Sequence, residues 1–480
     1  MSLRQWWDEH KHEPRLIVSV EPAIFFFMLS LFITLPSVQA LFIQKVCLRE
    51  FHSEMVCHNL TNNPEKMDYV QSKVSRWVLL NTCSETFPSM ITAVFMGSWG
   101  DNVNRKIPIV VPAVGGLLMM VNLVLNSFYM NWHPAFILIS NFVYGVLGGF
   151  ASFLMAVFSY VSVISGGEKE RLIRISICEG LMQLSGAVGF ALSGLLVKYT
   201  GFTYTFVFTM ASMGVALLYS VLWIKNPPPV GGRGVGTEEP RSLCARLFDC
   251  KHFVAAVKCY FVRREGYKRL ILWLSLVAFM IGMITIGGGA DVCLLYLNYT
   301  IPGWNLVLYG IYNALRMILM TIFLLFILPV IKRFFSIQDT TVGIIGLVSN
   351  TAGQLLLAFC KTIWMVMLVP VVNMLAGAGS TALRAIIAKM VSVNEQGKVF
   401  AFVGVAQSLS MLIASLIFNN LYPATLHFFP GLTFLVCAFL LMVAVGLTII
   451  IRVYIPKEGI QMSQYASQEK SPLLVNEDTS

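Results

Sequence analysis

Charge is scarce in this chain. Asp, Glu, Lys and Arg make up 12% of its 480 residues, about half the usual share for a soluble domain, while 57% of residues are hydrophobic. A water-soluble globule cannot absorb so much apolar surface, so the composition selects a bilayer as solvent. Nucleotide-driven work is excluded by the lack of any G-x-x-x-x-G-K-[ST] loop. H-E-x-x-H and G-x-S-x-G are also missing, and the few charges within apolar runs form no nucleophile–base pair, which argues against an enzyme. The 10 cysteines include no C-x-x-C pair, and Cys244, Cys250, His252 and Cys259 have no common zinc spacing. Neither a metal nor a cofactor is expected.

What the chain has in abundance is long apolar runs. A helix needs roughly 20 such residues to cross a membrane. Runs at 22–44, 78–99, 107–128, 134–160, 174–199 and 204–225 precede a polar, basic stretch. Runs at 270–297, 305–330, 339–360, 363–388, 399–422 and 431–452 follow it. The expected fold is therefore an all-α membrane protein of twelve transmembrane helices in two six-helix bundles. Its parts are a leader (1–21), a first bundle (22–225), a central cytosolic loop (226–269), a second bundle (270–452) and a tail (453–480).

The distribution of Lys and Arg sets the orientation. With both termini in the cytosol, about 25 of the 34 basic residues lie inside and about 7 outside. The net charge of +10 thus reflects topology and not a nucleic-acid partner. Two glycosylation sequons, at Asn59 and Asn298, fall in loops placed outside. Cys47 and Cys57 share the first outside loop, where an oxidising lumen permits a disulfide. The leader is polar and the first run too long for a cleaved signal peptide.

In the central loop, Leu243, Leu247, Val254, Val257 and Phe261 recur at helical spacing, with Arg246, Lys251, Lys258 and Arg264 on other faces. That pattern predicts an amphipathic helix suited to inner-leaflet lipids, or a spacer between bundles. Gly180, Gly186, Gly189 and Gly194 on the fifth helix read as packing positions. Gly287, Gly288 and Gly289 in the seventh read as a flexible or kinked segment.

Gly97-Ser98-Trp99-Gly100-Asp101-Asn102-Val103-Asn104-Arg105-Lys106 joins the second and third runs. It resembles the G-x-x-x-D-x-x-G-R-[RK] loop of the major facilitator superfamily, with Asn104, which tolerates left-handed backbone, where glycine is usual. Asp101 and Arg105 are the candidate conformational latch. A closer resemblance lies in Val20-Glu21-Pro22, Ile173–Glu179, Leu383-Arg384-Ala385, Glu395-Gln396-Gly397 and Ile417–Leu426. These are similar to solute carrier family 46, the proton-coupled folate transporter family, which also includes carriers of muropeptides and cyclic dinucleotides. The resemblance implies alternating-access transport of a small organic anion with protons.

Ionisable groups inside the runs are few, and each costs about 2.5–3.5 kcal/mol unless paired or hydrated. Glu179 matches the family acid that couples proton movement. Arg384 matches a substrate-binding arginine, and a guanidinium suits carboxylate or phosphate. Arg316, outside the family pattern, either neutralises Glu179 or binds substrate. Glu85 and Asp291 lie nearer the outer face as possible gate residues; a hydrogen-bonded structural acid is an equal reading for Asp291. The chain departs from the folate transporter at Gly149, Ile286 and Ile318, where that protein has an acid, a histidine and a tyrosine. A bridging cysteine is replaced near Gly303, which leaves Cys47–Cys57 as the local alternative. These departures leave folate-like, muropeptide and cyclic-dinucleotide substrates open, and motivate a second reading: a receptor or scaffold that no longer transports.

In the tail, Glu469, Leu473 and Leu474 form an acidic dileucine signal of the kind adaptor complexes read. It points to lysosomal or endosomal membrane, with plasma membrane as the alternative.

Overall fold

The computed structural model describes residues 19–58, 60, 63–102, 104–164, 168–225, 260–261, 264, 266–335, 337–391 and 393–469. Most of the expected amphipathic helix, the Asn59 sequon and the tail beyond Glu469 lie outside these residues. Among the described residues every regular element is helical. The first half comprises α1 (Glu21–Phe51), α2 (Glu54–His58), α3 (Pro64–Asn102), α4 (Ile107–Phe128), α5 (Ala135–Val146), α6 (Gly149–Ile164) and α7 (Glu168–Leu222). The second comprises α8 (Lys268–Thr300), α9 (Leu306–Ile322), α10 (Leu328–Phe335), α11 (Asp339–Ala358), α12 (Ile363–Val372), α13 (Ala376–Lys389), α14 (Val393–Thr425) and α15 (Leu432–Glu469).

Local chemistry explains the ends and breaks. Pro22 opens α1, where a missing N–H costs nothing. Asn305 caps α9 by accepting from the Leu308 N–H at 3.0 Å. A π-helical turn, Phe323–Ile327, joins α9 to α10. The expected run at 134–160 is one membrane-length stretch, Ala135–Ile164, broken into two helices because Gly148 and Gly149 adopt φ of +104° and +57°. That also accounts for Gly149 itself: a Cβ there would sit 2.7 Å from Ser89 Oγ. The fifth and sixth runs form α7, which turns at Gly201 (φ 79°, ψ 175°) with no intervening loop.

Among the described residues, ten helical stretches are long and apolar enough to cross a membrane. The expected twelve exceeds this by two. Ile177–Leu222 counts as one stretch despite its turn at Gly201. α3 is long enough, but Asn81, Thr82, Ser84 and Glu85 dilute its apolar middle.

Within the first half α1 and α4 pack on α7, and α3 packs on α5. Ser30 Oγ donates to the Thr209 carbonyl at 2.8 Å, and Ser212 Oγ to that of Phe26 at 2.9 Å, tying α1 to α7. In the second half α11 packs on α15 and α13, and α8 on α14 and α15. The triple glycine does not kink α8, which runs unbroken. Gly287 and Gly288 are close-packing positions instead: a Cβ on them would meet Met411 Sδ at 2.7 Å and the Phe418 ring at 1.9 Å.

Cys47 and Cys57 are joined by a disulfide, and their end of the molecule is here named the disulfide end. Lys45, near that end, is buried with 2% exposure. Its ammonium donates to the carbonyls of Tyr129, Met130 and Trp132, fixing the turn between α4 and α5.

Candidate functional site

The two halves meet along α3 with α14 and α7 with α9. At the disulfide end they are locked by neutral polar groups. Ser75 Oγ on α3 donates to the Asn419 carbonyl at 2.9 Å and lies 3.1 Å from its Oδ1. Gln71 Nε2 donates to the Leu295 carbonyl at 2.9 Å, and the Tyr422 hydroxyl donates to Gln71 Oε1. Asp291 anchors this network by accepting from Ser415 Oγ at 2.6 Å and Asn419 Nδ2 at 2.7 Å. Further out, His427 Nδ1 lies 3.2 Å from Asp68 Oδ2. Glycine allows the same closure between α7 and α9: a Cβ on Gly194 would lie 2.4 Å from the Leu306 carbonyl oxygen.

Away from that closed end, Glu179 on α7 and Arg384 on α13 come from opposite halves and feel one another's charge. No ion pair joins them among the described residues. Glu179 is exposed, and the charge acting on it is that of Arg384 in the other half. Arg384 is half-buried and held by uncharged groups. One of its Nη atoms donates to Gln407 Oε1 on α14 at 3.0 Å, and its guanidinium lies 5.1 Å over the Phe279 ring of α8. Its positive charge is therefore oriented without being neutralised from within its own half.

The remaining sequence candidates fall elsewhere. Arg316 borders a small recess lined mainly by the second half, and the cation that Glu179 senses is Arg384. Glu85 is separate from the Asp291 network, at the crossing of α3 over Tyr144 and Gly145 of α5. Gly97–Asn102, expected as a loop, is the last part of α3; Arg105 Nη1, in the turn after it, lies 3.4 Å from Ser159 Oγ on α6, and the Asp101 side chain lies outside the described ones. Asn298 is in the last turn of α8, not in a loop as expected. Among the described residues, no three His, Cys, Asp or Glu side chains are placed to hold a metal. Sequence reasoning missed Gln71, Ser75, Gln407, Asn419 and Tyr422. A signal existed for some of them: Ser415, Asn419 and Tyr422 recur at steps of four and three, sharing one face of α14.

Residues 22–347 match the family model of the Major Facilitator Superfamily. The chain belongs to the major facilitator superfamily. Its curated relatives are members of solute carrier family 46, transporters and not enzymes. It is 27% identical over 442 residues to the lysosomal proton-coupled steroid conjugate and bile acid symporter SLC46A3 of Gallus gallus, covering 90% of this chain and 93% of that protein. It is 28% identical over 387 residues to the proton-coupled folate transporter of Rattus norvegicus, covering 81% of each. Among solved structures, the human organic anion transporter MFSD10 aligns with a TM-score of 0.62 at 13% identity, covering 91% of this chain and 99% of that one. A POT family transporter in complex with a thioalcohol-conjugated peptide aligns at 0.63 and 14%, covering 91% and 96%. At those identities the likeness is one of fold: a multi-pass helical membrane transporter fold.

Proposed function

We propose that this protein is a secondary carrier that moves an organic anion together with protons by alternating access between its two halves. The observation that carries the reading is the facing of Glu179 and Arg384 across the interface with no ion pair between them. A carboxyl left free in a cleft takes up and releases a proton. A guanidinium with only neutral partners has its charge available for a carboxylate, sulfate or phosphate. The proton coupling named for the steroid-conjugate, bile-acid and folate relatives supports transport together with protons.

In this reading the disulfide end is the outer face, both termini are cytosolic, and the cleft at Glu179 and Arg384 opens inward. Gln71, Ser75, Asp291 and Asn419 then form the outer closure, and Arg105 belongs to the inner latch with Asp101. Glu469, Leu473 and Leu474 direct the carrier to lysosomal or endosomal membrane.

The test is uptake of radiolabelled folate, a muropeptide, a cyclic dinucleotide, a bile acid and a steroid sulfate into vesicles containing the purified protein. Uptake of at least one is expected to rise with a proton gradient directed along transport and to collapse with a protonophore. Binding without flux under every gradient would instead establish the non-transporting receptor.

A further inference from the structure

Among the described residues, three buried polar atoms of the second half have no hydrogen-bond partner, and their residues border one space. Arg316 Nε on α9, Gln354 Oε1 on α11 and Asn373 Oδ1 at the end of α12 are buried and unmatched. Gln354 and Asn373 are 9% and 6% exposed. All three residues border a single cavity of about 40 Å³. Buried polar groups are normally satisfied, so three orphans around one cavity mark a space that something polar fills. A water occupies roughly 10–15 Å³ on this measure. The recess therefore takes a few waters or one oxyanion head group.

The lining selects between these. Arg316 supplies a fixed positive charge and a planar set of N–H donors. The two carboxamides carry both donors and acceptors, and can turn an NH₂ toward an oxyanion. Tyr309 and Tyr312 form aromatic walls. The recess also reaches the interface, because Phe190 of the first half borders it. Gly289 lies on that border too, and a Cβ there would meet nothing closer than Gln354 Nε2 at 4.0 Å. Unlike Gly287 and Gly288, which admit neighbouring side chains, Gly289 keeps space empty.

We propose that this recess is a second recognition point for the transported molecule, taking an oxyanion group on Arg316, Gln354 and Asn373 while the body of the substrate lies in the cleft. The proposal rests on the transport reading above. Two separate cationic points, Arg384 and Arg316, then favour a molecule with an oxyanion at each end over one with a single such group.

The test measures binding to detergent-purified protein by ligand-induced thermal stabilisation at constant ionic strength. The probes are estradiol monosulfate and estradiol disulfate, which share one body. The wild type is expected to bind the disulfate about tenfold or more tightly than the monosulfate, the scale of one charge-assisted contact. Arg316→Gln removes the charge, and Gly289→Val fills the recess; either is expected to erase the preference by weakening disulfate binding. Gly289→Val decides alone if Arg316→Gln fails to fold, since filling an empty space leaves packing intact. A wild type with no preference, or with no binding of either probe, overturns the proposal, as does a preference that survives Gly289→Val. The transport reading fails separately, if this binding pattern holds while proton-driven flux is absent.

Discussion

Glu179 and Arg384 face one another from opposite halves of the molecule, each within the other's electrostatic reach, and no ion pair joins them. The arginine is instead held by Gln407 and Phe279, both in its own half. Had the two formed a tight pair, the halves would be pinned together where alternating access requires them to part. Neutral support lets Arg384 keep its orientation while the distance to Glu179 changes.

Glu179→Gln removes the titratable group while keeping size and hydrogen-bonding capacity. The variant is expected to fold and to reach its membrane, but to lose accumulation driven by a proton gradient. Exchange of substrate between the two sides is expected to survive, because exchange need not move a net proton. Accumulation measured across a range of imposed gradients checks this. A mutant with wild-type gradient dependence would show that another group couples the proton.

Arg384 separates binding from folding. Arg384→Lys keeps the charge but loses the planar fork, and Arg384→Ala loses both. Hydrogen bonds to charged groups are worth about 1.5–3 kcal/mol, so apparent affinity is expected to fall roughly 10- to 100-fold, with alanine worse than lysine. No ion pair needs restoring, so adding Glu179→Gln to Arg384→Ala should not rescue delivery or affinity. Rescue of both would make the arginine a structural partner of the acid.

The lock at the disulfide end is built mainly from neutral groups around Asp291, with His427 and Asp68 further out, and Asn419 is its centre. This one side chain donates to Asp291, and its Oδ1 lies 3.1 Å from Ser75 Oγ of the other half. Asn419→Ala leaves Asp291 one donor short, and an unmatched buried polar group costs about 1–3 kcal/mol. The population is expected to shift toward opening at this end. The shift can be read as faster modification by a membrane-impermeant thiol reagent of a cysteine introduced at Ser72, one turn from Ser75 on α3. Equal modification rates with and without the substitution would remove Asn419 from the lock.

The fold and the two charged residues were legible in sequence for the same physical reason. An apolar run of membrane length has few soluble alternatives, and a charge such as Glu179 or Arg384 within it is too costly to be incidental. The lock was not legible, because Ser75, Gln71 and Asn419 are neutral. Such residues occur in spans for local reasons, as when Thr34 Oγ1 returns a hydrogen bond to the Ser30 carbonyl four residues back. Which of them cross between helices depends on helix rotation, which composition does not carry. Glycines misled in both directions. Gly287 and Gly288, expected to be flexible, admit Met411 and Phe418, whereas Gly148 and Gly149 break a helix through positive φ inside the run at 134–160; Gly201 turns the chain where the fifth and sixth runs were read as separate. Arg316 was visible as a charge, but its orphaned neighbours Gln354 and Asn373 emerge only when α9, α11 and α12 are brought together.

Gly194 tests closure at this end by sterics alone. Its missing Cβ lets α7 approach α9 of the other half, and an added methyl would meet backbone, with Leu306 O at 2.4 Å and Val307 Cα at 2.5 Å. Backbone cannot rotate aside as a side-chain tip can, so Gly194→Ala must push the helices apart. The cost falls on the closed arrangement and not on folding of the first half, because the obstructing atoms belong to the second half. Gly194→Ala is therefore expected to favour opening at the disulfide end and to add to the effect of Asn419→Ala, since the two sites lie on different helix pairs. Gly404, where a Cβ meets nothing within 4 Å, provides the control as Gly404→Ala. If Gly194→Ala and Gly404→Ala give the same modification rates at the α3 reporter, the close approach of α7 and α9 does not govern closure.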